Sequence, residues 1–269
     1  MGESATARPP MNDETPAMSF SSDPPAGSWE EEFRRDPSAA FRRWFRLQEE
    51  LKEAGAPEAI AARELAEDLW SYARDLSHAS PGDAARFYNG MGAFFGSAGP
   101  ASDLERSRRC FERALEENAA TGNPDERARI LHNFASALAG LGSGSEELSE
   151  AVAKFEEALA WRNSEREIAR AVTLHNLGAA LASLSRADPG SARDHLTRSG
   201  EMFSAAVEIR RRLGLARGHA LSLLQLGLVR KLVGMDGADG ILEESARLLD
   251  ASGLAAEAER AREAARLGR

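Results

Sequence analysis

Cysteine, lysine, aromatic residues and long apolar runs are all scarce in this sequence, and each shortage closes off a class of structure or chemistry. A single cysteine, Cys110, can form neither an intramolecular disulfide nor a thiolate metal cluster. It lies in an apolar stripe beside Phe111, where a cysteine serves as a small hydrophobe. No stretch has the apolar run that a membrane-spanning helix needs, and the first 36 residues lack the apolar core of a secretory leader. A cytoplasmic protein without membrane contact is the expectation. Only 6% of residues are aromatic, so the core is expected to use aliphatic and small side chains. Positive charge is also in deficit: 34 Lys and Arg against 43 Asp and Glu leave a formal −9, which repels phosphate backbones. Nucleic acid is therefore not an expected partner. Neither a Gly-x-x-x-x-Gly-Lys phosphate loop nor a Gly-x-Ser-x-Gly elbow occurs, and no catalytic residues or cofactor are expected.

What is abundant is Ala, Leu, Glu and Arg, residues that lose little freedom in a helix, whereas the β-branched and aromatic residues favoured in strands are few. Residues 1–36 stand apart. They carry five prolines and a net −5, from eight acids against three arginines, with almost nothing to bury, and are expected to form a disordered acidic tail. From Pro37 onward apolar residues recur at helical spacing, and breakers at Ser80-Pro81-Gly82, Gly99-Pro100, Gly122-Asn123-Pro124, Gly142-Ser143-Gly144, Asp188-Pro189-Gly190, Gly214 and Gly234 to Gly240 divide the chain into helix-length segments. Helical hairpins are expected at about 37–78, 82–120, 125–162, 166–213 and 215–250, within a domain spanning 37–252. A polar capping helix at 253–269 completes the chain.

The segments repeat. Tyr88-Asn89-Gly90-Met91-Gly92, Leu131-His132-Asn133-Phe134-Ala135, Leu174-His175-Asn176-Leu177-Gly178 and Leu223-Leu224-Gln225-Leu226-Gly227 align without gaps, their last residues 43, 43 and 49 positions apart. The second helices correspond as well, with Phe111, Phe155 and Phe203 each followed three residues later by Ala114, Ala158 or Ala206. A fourth copy runs Ile241 to Ala246. Where two helices cross closely one side chain must be small, a place that Gly92, Ala135, Gly178 and Gly227 supply, with the phenylalanines filling the space beside them.

These residues resemble a tetratricopeptide repeat array. Tyr88, Met91-Gly92 and Phe95, and likewise Leu174, Leu177-Gly178 and Leu181, match the family's first-helix pattern. Ala151, Phe155 and Ala158 match its second helix. The spacing exceeds the usual period of roughly 34 residues, and Thr173 to Gly178 with Glu208 to Gly214 resemble the long-period subtype of kinesin light chains and of repeat arrays attached to bacterial signalling ATPases or caspase-like proteases. The resemblance implies an all-α, right-handed superhelical solenoid of antiparallel helical hairpins whose first helices line a concave groove. Carried onto this sequence, it implies that Arg86, Asn89, Arg129, His132, Asn133, His175, Asn176, Gln225 and Lys231 face a peptide or protein partner. Asn133 and Asn176 fall where the subtype has an asparagine row, and an amide can both donate to and accept from a peptide backbone. Ala93 and Val172 stand where a carboxylate clamp of the chaperone-binding type needs polar groups.

His132 and His175 occupy equivalent positions because the sequence repeats. Without a His-x-x-x-His pair or a carboxylate ladder, no metal is expected. Arg210, Arg211 and Arg212 point in different directions on a helix and read as a solvated helix end. The function expected is that of a noncatalytic protein- or peptide-binding adaptor. The alternatives are a self-assembling scaffold or homodimer whose groove holds its own tail, and the sensor subunit of a separately encoded protease or signalling ATPase.

Overall fold

The structure is a computed structural model that describes residues 80–97, 103–141, 144–162 and 166–267. The expected acidic tail and the hairpin at 37–78 lie outside the described residues. Among the described residues the chain is all-α, with helices α1 (Pro81–Ser97), α2 (Asp103–Thr121), α3 (Pro124–Leu141), α4 (Ser145–Trp161), α5 (Glu167–Ala187), α6 (Ala192–Arg212), α7 (Ala216–Leu232), α8 (Ala238–Ala251) and α9 (Ala255–Arg266). A single 3-10 turn, Pro189–Ser191, links α5 to α6. No helix among these residues is long and apolar enough to cross a membrane.

The local chemistry explains the ends. Asn123 caps α3, its Oδ1 accepting the Glu126 amide at 3.2 Å. Helices α6 and α7 both close on a left-handed glycine, Gly214 (φ 69°) and Gly234 (φ 73°). The next residue then donates back to the carbonyl five positions earlier, Leu215 to Arg210 and Met235 to Arg230, at 2.9 and 2.8 Å.

Helices pack with their sequence neighbours, α1 on α2, α3 on α4, α5 on α6, α7 on α8, and α9 on α8. The first helices of adjacent pairs, α1 and α3, α3 and α5, α5 and α7, also meet. Within a pair the helices run antiparallel: Glu167 at the start of α5 forms an ion pair with Arg212 at the end of α6. Across pairs, Arg108 on α2 holds Glu150 on α4 through two hydrogen bonds of 2.7 Å, and Arg198 on α6 reaches Glu156 on α4.

The recurring small residues sit at the closest approach of each pair. A Cβ placed on Gly92 would lie 2.9 Å from the Phe111 ring, one on Gly178 3.1 Å from Phe203, and one on Gly227 2.7 Å from Leu242. Ala135 packs in the same cluster as Phe155. Two of these junctions carry the same side-chain bond, Ser107 Oγ donating to the Gly92 carbonyl and Ser199 Oγ to that of Gly178, both at 2.7 Å. A further close contact joins α1 to α3, where a Cβ on Gly96 would lie 2.5 Å from Ala137 Cβ. Cys110 is fully buried beside Phe111, and burial pushes its thiol far above the ordinary range.

Gly92→Ala is expected to lower stability by about 1–3 kcal/mol, because the ring it displaces is fully buried and stacked on Phe134 at 5.1 Å. Gly140→Ala, with nothing within 4 Å of the added methyl, is expected to gain up to about 1 kcal/mol from helix propensity alone. Urea unfolding of the two variants beside the parent protein measures both signs.

Candidate functional site

The first helices carry most of the residues expected to face a partner, and the structure separates these into three groups. Asn133, Asn176 and Gln225 occupy equivalent positions on α3, α5 and α7, each half-buried. Asn133 donates from Nδ2 to Asn89 Oδ1 at 3.1 Å. Asn176 and Gln225 have no side-chain hydrogen bond among the described residues, so their amides remain available to a ligand or to water.

The second group is turned inward. Asn89 is 2% exposed, a correction to its expected place on an open face: it is the buried acceptor that Asn133 serves. His132 and His175 also belong mainly to the core. Each ring stands edge-on to the phenylalanine of its own pair, His132 to Phe155 at 5.4 Å and His175 to Phe203 at 5.3 Å. Each Nδ1 meets a hydroxyl on the next first helix, Thr173 Oγ1 and Ser222 Oγ, both at 3.0 Å. Each hydroxyl in turn accepts from an arginine at the end of a second helix. Arg162 Nε donates to Thr173 Oγ1 at 3.0 Å, and Arg210 Nη1 to Ser222 Oγ at 2.6 Å. Arg210 is therefore no solvated helix end. At 9% exposure it is buried, and only Arg211 and Arg212 pair with surface carboxylates, Glu208 and Glu167.

The third group is engaged at the surface. Arg86 bonds Asp83 at 3.1 Å and Arg129 clasps Glu126 at 2.6 Å, both within one helical turn and both exposed. Lys231 departs from the expected row. Its ammonium holds Asp239 at 2.7 Å and donates to the Ala265 carbonyl at 3.3 Å, tying α7 to α8 and α9.

The His–hydroxyl–arginine chain went unread in the sequence, although its members recur at matched positions: Arg162 and Arg210 each follow the pair's phenylalanine by seven residues. The first pair cannot build it. Asn118 stands at the arginine position, and Ile130 replaces the hydroxyl.

Burial, together with the nearby Arg162 and Arg210 guanidiniums, pushes both histidines down to about 4, so both are neutral near pH 7. Thr173 Oγ1 donates to the Ala169 carbonyl at 3.0 Å, so it accepts from His132 Nδ1 as well as from Arg162 Nε. Protonating either ring would set a second cation beside an arginine.

A pocket of about 540 Å³ opens beside one of these chains, lined by Asn123, Asp125, Glu126 and Arg129 from the start of α3, Arg162 from the end of α4, and Arg166, Ala169 and Val172 from the start of α5. Arg166 bonds Asp125 at 3.0 Å. Among the described residues no three His, Cys, Asp or Glu side chains gather as a metal site requires. Compared with known protein families and with curated proteins, the chain matches none.

The two histidines make stability depend on pH. The unfolded chain binds their protons near pH 6.5 and the folded chain near 4, so their contribution is complete above about pH 6.5 and is lost as pH falls toward 4. The loss is on the order of 3 kcal/mol per histidine. Urea midpoints taken from pH 7 to pH 4 should therefore fall more steeply for the parent protein than for His132→Asn combined with His175→Asn, whatever the double variant's stability at pH 7.

Proposed function

We propose that the protein is a noncatalytic scaffold that binds an extended peptide or partner segment along its first helices, in a right-handed tetratricopeptide-like solenoid. The observation that carries this reading is the amide row. Asn133, Asn176 and Gln225 stand at equivalent positions on three successive first helices, and two of the three have no intramolecular partner among the described residues. A half-buried amide loses water on one side and gains most from a ligand that offers both a donor and an acceptor, which a peptide backbone does at every residue. The repeat reading draws support from contacts that recur at equal places in different pairs: small residue against ring and serine on glycine carbonyl in the first and third, histidine on hydroxyl in the second and third.

The Asn133–Asn89 bond decides how the reading is tested. Asn133→Ala would leave a buried amide unpaired and cost about 1–2 kcal/mol, so lost binding in that variant would be ambiguous. Asn176→Ala combined with Gln225→Ala breaks no bond among the described residues and is expected to keep the melting temperature within a degree or two. Affinity capture from native lysate, with the parent protein and this double variant side by side, should recover a partner that the variant loses. Equal recovery by both removes the amide row from the binding surface.

A further inference from the structure

The pocket at the start of α3 and α5 holds an arginine whose counterpart one pair further on is bonded differently. Arg162 and Arg210 stand at matched positions and reach matched hydroxyls, but by different nitrogens. Arg210 lies flat on α7. Its Nη1 bonds both Ser222 Oγ at 2.6 Å and the Gly218 carbonyl at 2.9 Å, and a Cβ on Gly218 would lie 3.2 Å from Arg210 Cδ and Nε. The residue matched to Gly218 on α5 is Ala169. Arg162 also follows the end of α4 in an extended conformation (φ −80°, ψ 115°), whereas Arg210 is still within α6, and Arg162 meets Thr173 through Nε alone, at 3.0 Å. The two terminal nitrogens of Arg162 form no hydrogen bond or ion pair among the described residues, and the side chain borders the pocket with Ala169.

The wall around that guanidinium has a definite charge. Arg129, Arg162 and Arg166 face Asp125 and Glu126, three cations against two carboxylates, and the two exposed arginines already have partners in Glu126 and Asp125. Among the described residues of this wall, Arg162 is the cation whose terminal nitrogens have no partner. Burial disfavours it, with Arg166 acting in the same direction and Asp125 offsetting it in part. The two acidic wall residues repel a dianion more than a monoanion. An exposed apolar side chain, Val172 (37% exposed), lines the pocket on the Asn176 side of α5.

We propose that this pocket takes one acidic side chain, a carboxylate within an extended segment of a partner whose neighbouring residues are aliphatic. The Arg162 terminal nitrogens donate to the carboxylate, which supplies the missing counter-charge. Val172 covers an aliphatic flanking residue. The proposal rests on the peptide-binding reading of the first helices and adds the chemistry of one position in the ligand.

The probes are two acetylated and amidated pentapeptides, Ala-Leu-Glu-Leu-Ala and its Gln counterpart, with Ala-Ala-Leu-Val bearing a free C-terminus and inorganic phosphate as further arms. Binding to the full chain is followed by titration calorimetry and by the Arg162 Nε–H resonance. The Glu peptide is expected to bind roughly tenfold or more tighter than the Gln peptide and to shift that resonance. Arg162→Gln should abolish the difference. Ala169→Gly retains every charge but lets Arg162 lie flat as Arg210 does, and should weaken the Glu peptide several-fold. The second variant remains decisive if the first is poorly folded. Equal binding of the Glu and Gln peptides overturns the proposal, as does binding of the free C-terminus or of phosphate without the Glu peptide. A chain lacking residues 1–36 that binds no better than the full chain leaves the proposal standing as a site for a partner; a large gain assigns the pocket to the chain's own acidic tail and overturns it. A captured partner that survives Arg162→Gln but is lost from the amide-row variant keeps the groove and removes this pocket, whereas a partner indifferent to the amide-row variant counts against the groove itself.

Discussion

The structure depends on how closely two paired helices approach at one point. At Gly92, Gly178 and Gly227 the backbone of the first helix lies so near the second that an added methyl would meet Phe111, Phe203 or Leu242 at 2.7–3.1 Å. That contact does more than bury apolar area. It constrains the axial register of these pairs, because a large side chain fits opposite only where the first helix carries none. Once the register is fixed, Ser107 and Ser199 fall within 2.7 Å of the Gly92 and Gly178 carbonyls, and His132 and His175 come edge-on to Phe155 and Phe203.

The polar chains follow from that register and extend it between pairs. A histidine on one first helix, a hydroxyl on the next and an arginine from the intervening second helix bring three elements to one oxygen atom. Burial beside an arginine holds each histidine neutral, and low-pH instability is the physical cost of placing it between helices. The two polar chains are not interchangeable. Arg210, helical and packed on Gly218, bonds the Gly218 carbonyl as well as Ser222, whereas Arg162, in extended backbone beyond α4, bonds Thr173 through Nε and borders a pocket.

The helices and the small-against-ring junctions were legible in the sequence because both rest on local pattern: apolar spacing, breakers, and a glycine four positions after Tyr88, Leu174 or Leu223. The burial of Cys110 followed from the same stripe. Exposure at the candidate site was less legible. Asn89, His132 and His175 occupy positions that a repeat pattern assigns to an open face, yet each finds a partner on a neighbouring helix, and polar side chains turn inward when such a partner exists. Lys231 likewise engages Asp239 and the Ala265 carbonyl, which lie on elements that come into reach only after folding.

The sequence by itself determined that the chain forms helices, where most of them break, and which small and large residues meet within a pair. These outcomes depend on backbone preference and on side-chain volume at fixed spacing, both of which are written locally. The tertiary structure alone decided how the arginines are used. Arg129, Arg162, Arg166 and Arg210 are chemically identical, and only the acceptors that folding brings within reach separate a surface ion pair from a buried strut, and both from a guanidinium whose terminal nitrogens have no partner among the described residues.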